Sequence, residues 1–159
     1  MKKIYSVLVE NRSGVLSKIA GLFARRSFNI DSLAVGETDY EDVSCMTIVS
    51  SGDERTIEQI EKQLNKKLDV IKIKTFDEAD SIPRELMLVK VKYNKSNRGE
   101  IMEIAQAMKA DIVDMSKKEM MLQICARPCK IKTLIELLSG ISIVEIARTG
   151  TLALPKCSD

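Results

Sequence analysis

The chain has no histidine and no tryptophan. Without histidine it lacks the one side chain whose unperturbed pKa lies near neutrality, the commonest base of hydrolytic triads and the commonest metal ligand. Aromatic residues make up 4% of the sequence, too few to build base-stacking platforms. Charge of one sign is also missing: 25 Lys and Arg face 23 Asp and Glu, a net charge of +2, which argues against a dedicated nucleic-acid binder. No run approaches the ~20 apolar residues of a membrane span. Met1-Lys2-Lys3 followed by Ile4 to Val9 starts like a signal peptide, but Glu10 cuts the apolar stretch short. The four cysteines are scattered. Cys45 reads as a core thiol. Cys125 and Cys129 have C-x-x-x-C spacing, where zinc and redox sites prefer C-x-x-C with further partners. Cys157 lies in a tail after Pro155. With no signal peptide, the reduced cytoplasm is the expected compartment. These absences favour binding or regulation over catalysis.

What is present is periodic. At 159 residues, 45% apolar and 30% charged, the chain is one ordinary domain or two small ones. Ile4 to Val9 predicts a strand. Gly14 to Arg26 carries Val15, Leu16, Ile19, Leu22 and Phe23 at helical spacing, with Ser13 as its expected N-cap. Phe28 to Val35 and Val43 to Ser50 predict strands around the polar turn Thr38 to Asp42. Asp53 should cap a second helix lined by Ile57, Ile60 and Leu64, with Glu58 and Lys62 as an i, i+4 pair. Leu68 to Phe76 predicts a fourth strand. The order is β-α-β-β-α-β. It then repeats: a strand over Glu85 to Tyr93, a helix capped by Asn97 with Glu100 in a capping box, strands over Asp111 to Met115 and Met120 to Ala126, a helix stopped by Gly140, and a strand over Ile141 to Ala147. The expected class is α+β, with two ferredoxin-like βαββαβ units. Their expected boundaries are 1–77 and 85–159, joined by an acidic linker over 78–84.

The segment Glu10-Asn11-Arg12-Ser13-Gly14-Val15-Leu16 joins the first strand to the first helix. A helix start presents unsatisfied N–H groups and the positive end of the dipole, which suits a carboxylate. Gly14 allows close approach to the backbone. Asn11, and Asn29 before the second strand, offer amides that donate and accept. Val15, Leu16 and Ile30 can supply a small apolar wall. Together these suit the two charges and side chain of a free amino acid. Asn, Ser and Gly are equally the ordinary residues of a loop-to-helix junction, so spacing alone leaves capping and ligand binding both open. The second unit has Glu100 where the first has Val15, and Asp111 where the first has Asn29. These carboxylates would repel a ligand carboxylate, so a sensing site belongs in the first unit.

The run Ser6-Val7-Leu8-Val9-Glu10-Asn11, Ser13-Gly14-Val15-Leu16-Ser17, Gly21-Leu22-Phe23, Arg26, Asn29-Ile30 and Ser32-Leu33 closely resembles the small, regulatory subunit family of acetolactate synthase (acetohydroxyacid synthase). So do Met46-Thr47-Ile48, the stretch Glu58 to Lys66 with Asp69-Val70, Arg84 to Val91, and Val144 to Gly150. The resemblance implies an ACT domain over 1–77, a family-specific domain over 85–159, and a homodimer. It implies activation of a separate catalytic large subunit and feedback inhibition by a branched-chain amino acid, usually valine. It places the effector between two ACT domains, on Asn11, Gly14, Val15 and Leu16 of one chain and Asn29 and Ile30 of the other. It implies no cofactor in this chain, since thiamine diphosphate, Mg²⁺ and FAD belong to the catalytic subunit. No membrane or nucleic-acid partner is expected. The alternative is a free-standing ACT sensor tied to another enzyme. An RNA-recognition module shares the element order but needs aromatics on the third strands, which have none.

Overall fold

Alternation along the first strand sets the architecture of the N-terminal half. In the computed structural model, which describes residues 1–158, β1 spans Lys2–Glu10. Tyr5, Val7 and Val9 point to one face and are buried. After β1 come helix α1 (Val15–Arg25), strands β2 (Ser32–Glu37) and β3 (Val43–Ser51), helix α2 (Glu54–Asn65) and strand β4 (Val70–Phe76). The sheet order is β2-β3-β1-β4, so β2 and β4 are its edges. Every neighbouring pair is antiparallel. The two helices cover one face. Val15, Ile19, Leu22 and Phe23 of α1 and Ile57, Ile60 and Leu64 of α2 pack on Tyr5, Val7, Val9, Met46 and Ile48. Burial of side chains of this size stabilises by about 1.5–3 kcal/mol each.

Details of these elements follow from side-chain chemistry. The Asp53 carboxylate accepts from the Thr56 N–H at 2.7 Å and caps α2. The Lys62 ammonium donates to Glu58 at 2.6 Å one turn away. β2 begins at Ser32, not at Phe28 as the sequence suggested. Ser27 takes positive φ to end α1, and Phe28 then turns inward to meet the Phe23 ring edge-on, with centroids 6.2 Å apart. Cys45 lies on the face opposite the helices, 3.6 Å from the Ser6 hydroxyl, and is only partly buried.

The Tyr5 hydroxyl, fully buried, donates weakly to the Ile57 carbonyl at 3.4 Å. Burial, with a smaller contribution from Glu61, pushes its pKa up from 10.0 to about 12. The unfolded chain therefore loses this proton first as pH rises, and folding is progressively disfavoured between about pH 10 and 12. The expected loss is about 2–3 kcal/mol. Tyr5→Phe should flatten this alkaline slope, as read by urea unfolding at pH 8, 10 and 11.5. An unchanged slope would mean another group controls it.

The second half repeats the pattern with β5 (Ser81–Lys92), α3 (Arg98–Met108), β6 (Asp111–Met115), β7 (Glu119–Ala126), α4 (Pro128–Leu137) and β8 (Ile143–Arg148). The strand order is β6-β7-β5-β8. Met87, Val89 and Val91 pack with Met120, Leu122, Ile124, Ile101, Ile131 and Leu134. Both halves are thus ferredoxin-like units of an α+β fold.

Three expectations need correction here. The segment 78–84 is a short 3-10 turn (Glu78–Asp80) followed by the start of β5. Ser81, Pro83 and Glu85 alternate inward along it. Glu85 is buried because the Arg148 guanidinium meets it bidentately at 2.6 and 3.0 Å. Asn97 stands at the start of α3 but does not cap it. Its oxygen accepts instead from the Asn94 N–H at 2.8 Å. Gly140 is not the left-handed stop of α4, which closes at Leu138 in ordinary backbone.

A final strand, β9 (Leu152–Pro155), was not anticipated and pairs with β5. The compact units are Met1–Ile82 with the chain from Thr151 on, and Pro83–Gly150. Ala153 of β9 joins Ile4, Val49 and Phe76 in a small cluster on the helix-free face of the first sheet. The Thr151 N–H donates to the Ser32 hydroxyl at 2.7 Å.

Candidate functional site

The loop from β1 to α1 is shaped by Gly14. Its φ is +86°, in the left-handed region that favours glycine, and it occupies the N-cap position in place of Ser13. Among the described residues no side chain caps the helix. A Cβ at Gly14 would meet nothing within 4 Å, so the space above the first turn is open. The Gly14 carbonyl accepts the first intrahelical bond, from the Lys18 N–H at 3.0 Å. The Val15 N–H bonds back to the Arg12 carbonyl at 3.4 Å, which leaves the Leu16 and Ser17 N–H groups and the positive dipole end as the arrangement that can accept a carboxylate.

Asn11 is held in place by the β2–β3 turn. Its N–H donates to the Asp42 carbonyl at 2.8 Å, and its amide NH₂ donates to the Glu41 carbonyl at 2.7 Å and to Glu37 at 3.1 Å. Its donors are thus used within the chain, and the amide oxygen is what it can offer an ammonium group. On the other side of the loop, Asp69 accepts from Arg12 at 2.6 Å and from Lys18 at 3.0 Å. Arg12, then Lys18, hold the Asp69 carboxyl below the usual carboxylate range, and Asp69 in turn raises Arg12. Sequence reasoning did not single out Asp69 for a role. Its signals were a lone acid between Leu68 and the apolar Val70 and its place in the Asp69-Val70 pair that resembles the family.

Two expected contributors to the apolar wall differ in character. Leu16 is 45% exposed, whereas Val15 is 2% exposed and belongs to the core. Val15 therefore cannot offer a ligand its side chain, and its N–H is bonded to the Arg12 carbonyl at 3.4 Å. Ile30 is half-buried against the same core.

Asn29 is exposed, with its NH₂ 2.5 Å from Asp31 and its carbonyl accepting from the Ser50 hydroxyl at 2.6 Å. The sheet register separates it from Asn11. Glu10 pairs with Val43 at one end of β3, while Asp31 and Ser32 bond and pair with Val49 near the other. At ~3.3 Å per residue the two ends lie on the order of 20 Å apart. One chain therefore does not bring Asn11 and Asn29 to one small molecule. Glu37, one of the residues that hold Asn11, ends β2, and β2 is an edge of the sheet.

Comparison with known proteins gives a consistent result along the chain. Residues 5–72 match the family described as the AHAS small subunit-like ACT domain. Residues 84–157 match the family described as the small subunit of acetolactate synthase. The chain is 44% identical to the probable acetolactate synthase small subunit of Archaeoglobus fulgidus, across 97% of this chain and 96% of that one. It is also 44% identical to the acetolactate synthase small subunit of Bacillus subtilis, across 96% of this chain and 90% of that one. The crystal structure of the acetolactate synthase small subunit from Thermotoga maritima superposes with a TM-score of 0.93 at 36% identity, covering 100% of this chain and 99% of that one.

Proposed function

We propose, from the premise that the chain belongs to the acetolactate synthase small-subunit family, that it is a non-catalytic regulatory subunit. In this reading it activates a catalytic partner and lends it feedback inhibition by valine. The amino acid lies between the N-terminal units of two copies. Its carboxylate meets the uncapped first turn of α1. Its ammonium meets the Asn11 oxygen of one chain and the Asn29 amide of the other, and its side chain lies against Leu16 and Ile30.

The observation that carries this reading is the separation of Asn11 and Asn29 at opposite ends of one sheet. If β2 pairs antiparallel with β2 of a second copy about a two-fold axis, Ser32 of one chain comes opposite Glu37 of the other. Asn29 of one chain then approaches Asn11 of its neighbour. Such isologous pairing also removes a free sheet edge. A ligand bound across two chains is sensitive to their relative pose. It can therefore bind one arrangement better than another, which is the requirement for shifting an activity equilibrium.

Reconstitution with the catalytic subunit tests the proposal. Asn11→Ala and Asn29→Ala should each raise the valine concentration for half-inhibition at least about tenfold, the loss of one charge-assisted hydrogen bond. Activation without valine should persist. Mixing the two variants should restore part of the sensitivity, because a mixed dimer regains one intact site. Unchanged inhibition in both variants, or no recovery on mixing, would overturn the shared site.

A further inference from the structure

Asp69 is a nearly buried carboxylate, its side chain 7% exposed, and the effector reading gives it no role. It lies in the connection between α2 and β4, far in sequence from the β1–α1 loop, yet it holds that loop at three points. Its carbonyl accepts from the Glu10 N–H at 3.0 Å. One carboxylate oxygen accepts from Arg12 at 2.6 Å and the other from Lys18 at 3.0 Å. Arg12 also meets Glu10 at 2.7 Å. These bonds bracket Gly14, with Arg12 two residues before it and Lys18 four residues after.

The geometry points to Asp69 as a positioning residue of the amino-acid site, acting through Arg12 and Lys18 to hold the Gly14 turn and the first turn of α1 in the shape that receives a carboxylate. The inference rests on the effector reading above. Its physical basis is loop order. The residues from Asn11 to Gly14 are mostly exposed and have little apolar packing of their own. Their fixed points are the Asp42 and Glu41 carbonyls on one side and Asp69 on the other. When the second anchor is removed, the loop samples more conformers, and a ligand must order it on binding. Asp69 also neutralises two cations beside the positive end of a helix dipole, where they would otherwise repel the exposed N–H groups.

A competing role for Asp69 predicts the opposite effect. If Asp69 merely competed with the ligand for Arg12, its removal would free a guanidinium and strengthen carboxylate binding. The sign of the effect therefore decides the matter.

Calorimetric titration of the full-length chain with L-valine supplies the test. Asp69→Asn should weaken binding about tenfold, and Asp69→Glu, which keeps the charge, should recover most of that loss. In an Arg12→Ala, Lys18→Ala background, Asp69→Asn should change affinity by less than twofold, because the residue acts through those two cations. A general loss of packing would lower affinity in both backgrounds. Arg12→Gln alters a side chain that is 60% exposed, and it should weaken binding severalfold even if Asp69→Asn fails to fold. Unchanged or tighter binding in Asp69→Asn, or in Arg12→Gln where only that variant folds, overturns the inference while leaving the effector reading intact. No heat from the unsubstituted protein with valine, leucine or isoleucine removes the effector reading itself, and this inference with it.

Discussion

Gly14→Val is expected to raise the valine concentration for half-inhibition by about 100-fold, corresponding to ~2.7 kcal/mol of binding free energy. Two effects combine. The residue sits at φ +86°, where a β-branched side chain is strained, so the turn relaxes toward negative φ and re-aims the N–H groups beyond it. The new side chain also fills the open space above the turn, in which a Cβ alone would touch nothing within 4 Å. Gly14→Ala separates the two effects. Alanine fits the space but still suffers the left-handed backbone, so its loss should be nearer tenfold. Calorimetry with L-valine and activity titrations of the reconstituted pair measure both. Equal losses in the two variants would assign the effect to backbone strain alone. No loss in either would place the carboxylate elsewhere.

Phe23→Ala should destabilise the N-terminal unit by about 3–5 kcal/mol, the usual cost of a large core deletion. Phe23 is 1% exposed and sits at the centre of the α1 face, packed with Ile19 and Leu22 against the sheet. It also holds the Phe28 ring edge-on, and that contact fixes the path into Asn29 and β2. A loss of this size consumes much of the marginal stability available to a unit of fewer than a hundred residues. Phe23→Leu keeps most of the volume and should cost about 1–2 kcal/mol. Urea unfolding followed by circular dichroism gives the magnitudes. Hydrogen exchange should localise the loss to amides of Met1–Ile82. A cost below about 1 kcal/mol would show that the surrounding helix closes over the gap.

Much of the fold was legible because its signals are local. Ile57, Ile60 and Leu64 are spaced for one helical face, and Asp53 stands where a cap must stand. Tyr5, Val7 and Val9 alternate as a half-buried strand does. The misreadings share a different cause. Ser81 and Pro83 look like linker residues because they are polar or imino, yet they point inward on β5, as does Glu85 at the start of the expected strand. The Glu85 carboxylate is buried against Arg148, 63 residues away. β9 carries just one buried residue, Ala153, and its partners Ile4, Val49 and Phe76 are far off in the chain. Ser13 was a reasonable cap by type, but the positive φ of Gly14 moved the helix start one residue onward.

Residue pattern alone was enough to read the two-unit element order and to name Asn11, Gly14 and Asn29 as candidates for the proposed amino-acid site in the first unit. Periodicity, charge and residue type are properties of short segments, and these are enough for such conclusions. That Val15 belongs to the core, that Asp69 anchors the loop, and that Asn11 and Asn29 stand at opposite ends of one sheet follows from how the chain folds. Each of these depends on strand register and on contacts between residues distant in sequence, and a linear pattern does not encode how far apart a folded sheet will hold its two ends.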